Sequence, residues 1–298
     1  MIDSTKLITI IFTLISLLST NSAAAGRLPV FASILPQKYF VQQIGRDLVD
    51  VQIMVRPGAN PATYEPKPRQ MAALSQARIY FAIGVPFESA WLQKIAATNP
   101  GMKVVHTDYG IEKLVMAVHG HENETGKRHE KEDWEHAGLD PHIWLSPPLV
   151  KVQARTILTA LQEADPQHAG IFADNFQAFA ARIDALDDEL KKDFAGRQGL
   201  KFMVFHPSWG YFAQAYGLEQ VPIEIEGKSP KPAHLKALIE NARKDGILVI
   251  FVQPQFSTKS AGLVAREIGG QIVFADPLSD DWLENLRRVA TKFIEALK

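Results

Sequence analysis

The chain has 298 residues, 46% hydrophobic and 22% charged, with a formal net charge of −1. That is enough apolar material for one large or two medium domains, and it carries no electrostatic bias toward nucleic acid or an anionic membrane. It contains no cysteine, which excludes disulfides, thiolate zinc sites, iron–sulfur clusters and a lipid-bearing Cys, so any metal must be held by His, Asp, Glu or neutral oxygens.

The first 25 residues have the layout of an export signal. Lys6 precedes an apolar run of 12 residues, Leu7 to Leu18, and small residues follow up to Ala23-Ala24-Ala25. Twelve residues rise only about 18 Å as a helix, too short for a bilayer core of about 30 Å. The segment therefore reads as a signal peptide cleaved near Ala25, placing the mature chain in a periplasm without a lipid anchor.

From there strands and helices alternate. Leu28–Ile34, Val49–Val55, Arg78–Gly84 and Lys103–Thr107 read as strands. Helical patterns run from after Ile34 to Ile44, over Lys67–Ala77 and over Glu88–Thr98. This rhythm predicts βαβ units and a mainly parallel sheet. It is interrupted by a segment of another character. Four of the nine histidines (His119, His121, His129 and His136) lie within residues 119–136, where even scatter would place about 0.5. Six acids accompany them, and imidazole with carboxylate suits Zn²⁺ better than Mg²⁺ or Ca²⁺.

Ser146-Pro147 then opens a helix through Glu163, and Asp165-Pro166 starts a second one. Phe172, Phe176, Phe179, Ile183, Leu186, Leu190 and Phe194 form one apolar stripe, predicting a rigid connector of about 30 residues that spans about 45 Å and stops at Gly196. A second α/β series follows, with strands at Leu200–Phe205, Val221–Ile225, Ile247–Val252 and Gly270–Ala275. Its helices are expected at Tyr211–Tyr216, Pro232–Lys244, Ser260–Ile268 and Asp280–Leu297. The expected organisation is a signal (1–25), a first α/β lobe (26–164) carrying the loop 119–138, a linking helix (165–196) and a second α/β lobe (197–298).

In open α/β sheets, ligands bind beyond the carboxyl ends of strands. Three residues occupy turn or strand ends of that kind: His142 in Asp-Pro-His-Ile-Trp, His206 directly after a strand, and Asp276 in Ala-Asp-Pro-Leu. Drawn from both lobes, two His and a carboxylate make three of the four ligands of tetrahedral zinc. Trp144 and Trp209 beside the histidines are expected to pack in the core, His106 to end a strand, and His168 and His234 to lie on the surface.

These motifs, with Val55-Arg-Pro-Gly-Ala-Asn-Pro-Ala62-Thr-Tyr-Glu65-Pro, His206-Pro-Ser-Trp and Gln253-Pro-Gln-Phe-Ser257, resemble the zinc/manganese solute-binding proteins of ABC importers. The resemblance covers nearly the whole mature chain. It implies two lobes bridged by a long helix, a metal between them, delivery to an ABC permease in the inner membrane, and no catalysis. It also implies a monomer, and zinc rather than manganese, because zinc-type members carry His where this chain has His206. Such members often carry a His- and acid-rich loop as well.

The chain departs from the family pattern at Ala62, where the motif has a ligating His. A methyl group cannot coordinate, so the fourth position falls to water, to a loop histidine such as His129 or His136, or to Glu65, which is also placed to cap the following helix. Two other readings compete. One is a secreted zinc hydrolase with Glu224 or Glu226 as general base, although His-Glu-x-x-His, Gly-x-Ser-x-Gly and P-loop motifs are absent from the sequence. The other is a zinc buffer or adhesin-like protein whose loop binds the metal.

Overall fold

A computed structural model describes residues 26–116, 138–224 and 230–297. The signal segment and the histidines at 119, 121, 129 and 136 lie outside the described residues, as does Glu226. Two four-stranded sheets, each parallel throughout, carry the fold.

The first sheet has the order β2-β1-β3-β4, made of β1 (Leu28–Ala32), β2 (Val49–Ile53), β3 (Ile79–Ala82) and β4 (Lys103–His106). The helices between them are α1 (Leu35–Gly45), α2 (Pro68–Leu74) and α3 (Pro86–Thr98). β3 is buried at all four residues, the signature of a parallel strand covered on both faces. Beyond the ends of β1 and β3 lies a buried polar knot. Ser33 Oγ donates to Glu88 Oε1 at 2.5 Å and accepts from Tyr80 at 2.8 Å. Glu88 also accepts from the backbone N–H groups of Ile83 and Gly84. Burial, opposed by these bonds, raises the Glu88 carboxyl above its ordinary value.

The second sheet repeats the order as β6-β5-β7-β8: β5 (Lys201–Val204), β6 (Glu219–Pro222), β7 (Val249–Val252) and β8 (Gln271–Phe274). It is wound with α6 (Gly210–Tyr216), α7 (Pro232–Lys244), α8 (Lys259–Ile268) and α9 (Trp282–Ala296). β6 begins and ends earlier than Val221–Ile225. It is an edge strand, and Pro222 has no N–H to extend a ladder. The chain nevertheless stays beside β5, since Ile223 and Glu224 donate to the carbonyls of Val204 and Phe205 at 2.8 and 3.0 Å.

Between the sheets run α4 (Pro147–Ala164) and α5 (Ala169–Asp193). α5 has 25 residues rather than about 30, because its first turn is a separate 3₁₀ turn at Pro166–His168. There Asp165 Oδ2 accepts from His168 Nδ1 at 2.6 Å. The apolar stripe is buried from Phe172 to Leu190, and α5 packs on α1 and α4 of the first lobe and on α9 of the second. Phe40, Phe179 and Trp282 meet there, with Phe40 and Trp282 edge-on at 5.1 Å. One continuous core thus reaches both lobes, and a smaller one fills the outer side of the second sheet. Truncating Phe179 to Ala would cost roughly 3–5 kcal/mol.

Candidate metal centre

His142 and His206 come together where the lobes meet, their ring centroids 5.2 Å apart and their planes at 71°. His142 arrives on the irregular stretch before α4, and His206 is the second residue after β5. Each ring is anchored by a buried carboxylate on its Nδ1 edge. His142 donates to Asp140 Oδ1 at 2.6 Å, and His206 donates to Glu224 Oε1 at 2.5 Å. A carboxylate only accepts, so both Nδ1 atoms carry hydrogen, which leaves Nε2 as the nitrogen whose lone pair a neutral ring offers to a metal. A carboxylate behind the imidazole is the arrangement that orients histidine ligands toward metals and raises their basicity.

Asp140 does two jobs from one turn. Its Oδ1 also accepts the His142 backbone N–H at 2.9 Å, an Asx turn that fixes where the ring starts. Read from sequence, Asp140-Pro141 signalled only a turn; its spacing of two residues from His142 was the available clue. Tyr211 of α6 donates to the Asp140 carbonyl at 2.8 Å and accepts from Leu114 N–H at 2.9 Å. Gly210 comes so close that a Cβ there would stand 2.9 Å from Asp140 Oδ2. Burial lowers the His142 imidazole below its ordinary value against the opposing pull of Asp140, which keeps the ring neutral and able to donate its lone pair to a metal.

Glu224 is not where a general base would stand. It lies on the Nδ1 side of His206, away from Nε2, and its Oε2 is buried with no hydrogen-bond partner among the described residues. The hydrolase reading loses its one described candidate base.

Asp276 follows β8 at the second lobe's cleft edge. Its Oδ1 accepts from Gln255 Nε2 and from Leu278 N–H, both at 2.9 Å, and its carbonyl accepts from Asn285 at 2.7 Å. It lines a recess of about 190 Å³ between the lobes, shared with Arg56 and Gly58 of the first lobe and Gln255 and Ser279 of the second. Among the described residues, no three His, Asp or Glu side chains stand close enough together to hold an ion as they are. The rings of His142 and His206 form the pair, and Asp276 does not join them in a group of three.

Ala62 and Glu65 are both exposed on the loop before α2. Glu65 does not cap that helix; the side-chain oxygen of Gln70 accepts the Lys67 N–H at 3.0 Å instead. Tyr64 donates to the same Gln70 oxygen at 2.6 Å, and Gln70 Nε2 donates to the Met54 carbonyl at 2.6 Å, so the loop is tied to the end of β2. His106 ends β4, exposed, and His168 serves its own turn. Trp144 and Trp209 are buried as expected, but Trp144 also latches the lobes. It donates to the Pro277 carbonyl at 2.7 Å and accepts from Trp282 Nε1 at 2.6 Å through its own carbonyl.

The sequence profile of the family described as "Zinc-uptake complex component A periplasmic" matches residues 30–296. The chain is 26% identical over 259 residues to the high-affinity zinc uptake system protein ZnuA of Bacillus subtilis (strain 168), covering 85% of this chain and 80% of that protein. A crystal structure of ZnuA superposes with a TM-score of 0.83 at 43% identity, covering 91% of this chain and all (100%) of that one. A zinc-bound deletion mutant of ZnuA gives a TM-score of 0.81 at 42% identity, with 91% and 98% covered.

Proposed function

The chain belongs to the family of periplasmic component A proteins of zinc-uptake complexes, and from that membership we propose that it captures Zn²⁺ between its lobes with His142, His206 and Asp276. It is the metal-binding, non-enzymatic component of a zinc-uptake ABC system. As a periplasmic monomer, it hands the ion to the permease of the inner membrane. The observation that carries this reading is the pair of facing imidazoles, each held at Nδ1 by a buried carboxylate. Two neutral nitrogens and one carboxylate suit zinc over manganese, which favours oxygen-rich octahedral shells.

In this reading the ion joins the Asp276 carboxylate to the two imidazoles, and water takes the position left by Ala62. The remaining candidates for that position are Glu65 and the histidines of the 119–136 loop. The test is equilibrium dialysis of the mature protein with zinc. One tight site is expected, lost in His142→Ala and in His206→Ala, and undiminished binding in both variants would overturn the reading.

The density of His and acid in 119–136 favours a second role for that segment as a metal buffer. Its stems are close together, Met116 N–H donating to the Gly138 carbonyl at 2.9 Å, so residues 117–137 can be replaced by a short turn. A buffer would then lose most of its zinc capacity, whereas the cleft site would keep its single ion.

A further inference from the structure

β7 lies between β5 and β8 in the second sheet. Val204 pairs with Phe251 and Val252 with Phe274, so His206 is level with Gln253 and Asp276 with Pro254. The two candidate ligands thus leave strands two spacings apart, about 10 Å at the backbone, and the turn closing β7 fills the gap. That turn is Gln253-Pro254-Gln255-Phe256, closed by Phe256 N–H donating to the Gln253 carbonyl at 3.1 Å. Proline in its second position presets the backbone.

Three of its side chains reach a candidate ligand. Gln253, fully buried, accepts the His206 N–H at 3.2 Å and donates to the His206 carbonyl at 2.7 Å, gripping both faces of that residue's backbone. Phe256 stacks on the His206 ring at 4.8 Å and 24°. Gln255 donates Nε2 to Asp276 Oδ1 at 2.9 Å. Only the amide nitrogen can face a carboxylate, so the orientation of Gln255 is fixed even though its Oε1 is then buried without a hydrogen-bond partner among the described residues, a desolvation cost accepted to hold Asp276.

We infer that the Gln253–Phe256 turn is the template that sets the separation and orientation of His206 and Asp276 before the metal arrives, and that it thereby favours a small tetrahedral ion over a larger six-coordinate one. The inference rests on His206 and Asp276 being ligands. With Oδ1 held by Gln255 together with the Leu278 N–H, Asp276 offers a single oxygen. An unheld carboxylate swings or binds through both oxygens, raising the coordination number toward what Mn²⁺ prefers.

The test uses Gln255→Met, similar in length but without a donor, and Phe256→Leu, with His206→Ala as the control on the reading itself. Zinc and manganese affinities come from competition titrations, the visible spectrum of the Co²⁺-loaded protein reports coordination number, and melting curves report folding. In Gln255→Met, zinc affinity is expected to fall about 10- to 100-fold with manganese affinity undiminished. The Co²⁺ band should weaken as coordination expands. Phe256→Leu moves zinc affinity the same way and supplies the result should Gln255→Met not fold. Unchanged metal preference and Co²⁺ spectra in the variants, with zinc lost in His206→Ala, overturn the template and leave the ligand assignment standing. Full zinc affinity in His206→Ala overturns the assignment and the template with it.

Discussion

Replacing Glu224 by Gln should move zinc affinity and metal-free stability in opposite directions. Glu224 Oε1 accepts the His206 Nδ1–H at 2.5 Å, while its Oε2 is buried with no hydrogen-bond partner among the described residues. In the metal-free protein that half-satisfied carboxylate is a burden, because an unpaired buried polar group costs about 1–3 kcal/mol and more when charged. Gln keeps an acceptor for His206 and removes the charge. It leaves a neutral amide in place of the orphaned oxygen, and a gain of about 1 kcal/mol is expected. In a protein of this size that raises the melting temperature by about 2 °C.

With zinc bound, the balance reverses. A charge-assisted hydrogen bond is roughly twice as strong as a neutral one, and losing it makes His206 Nε2 a weaker donor to the ion. Outer partners of this kind are worth about 10- to 100-fold in affinity, or about 1.4–2.8 kcal/mol. The assays are calorimetric melting with a chelator present, and zinc titration against a chromophoric competitor. A variant that melts lower, or that binds zinc as tightly as the parent, would refute the role assigned to Glu224.

Three further outcomes are expected. Trp144→Phe leaves the Pro277 carbonyl without the indole donor that meets it at 2.7 Å, so urea denaturation should show a loss of about 1–3 kcal/mol; an unchanged midpoint would remove Trp144 as a latch between the lobes. Ala62→His places an imidazole on the first-lobe loop, and competition titration should show tighter zinc binding, whereas no gain would mean that this loop does not face the ion. Glu88 titrates above its ordinary value of 4.5 because it is buried. The unfolded chain therefore releases this proton first as pH rises, and wild-type stability relative to Glu88→Gln should fall between pH 4.5 and the raised folded value, then level off. A difference in unfolding free energy that is flat with pH would contradict that burial.

The sequence by itself determined what is local. Period-two and period-3.6 patterns marked the strands and helices, because side-chain burial along one element depends on neighbours a few residues away. The stripe from Phe172 to Leu190 marked the connecting helix, and strand-end positions singled out His206 and Asp276. Element ends shifted where edge position and Pro222 decided them, as at β6, and the cap of α2 fell to Gln70 rather than Glu65.

The tertiary structure alone decided what surrounds the candidate ligands. Asp140 stands two residues from His142, but Glu224 is 18 residues from His206, Gln253 is 47 from it, and Gln255 is 21 from Asp276. Parallel strands place such distant residues side by side at one edge of a sheet, and no periodicity along the chain encodes that adjacency. The residue types able to bind a metal are therefore legible in the sequence, whereas the carboxylates and amides that aim them follow from strand order and register.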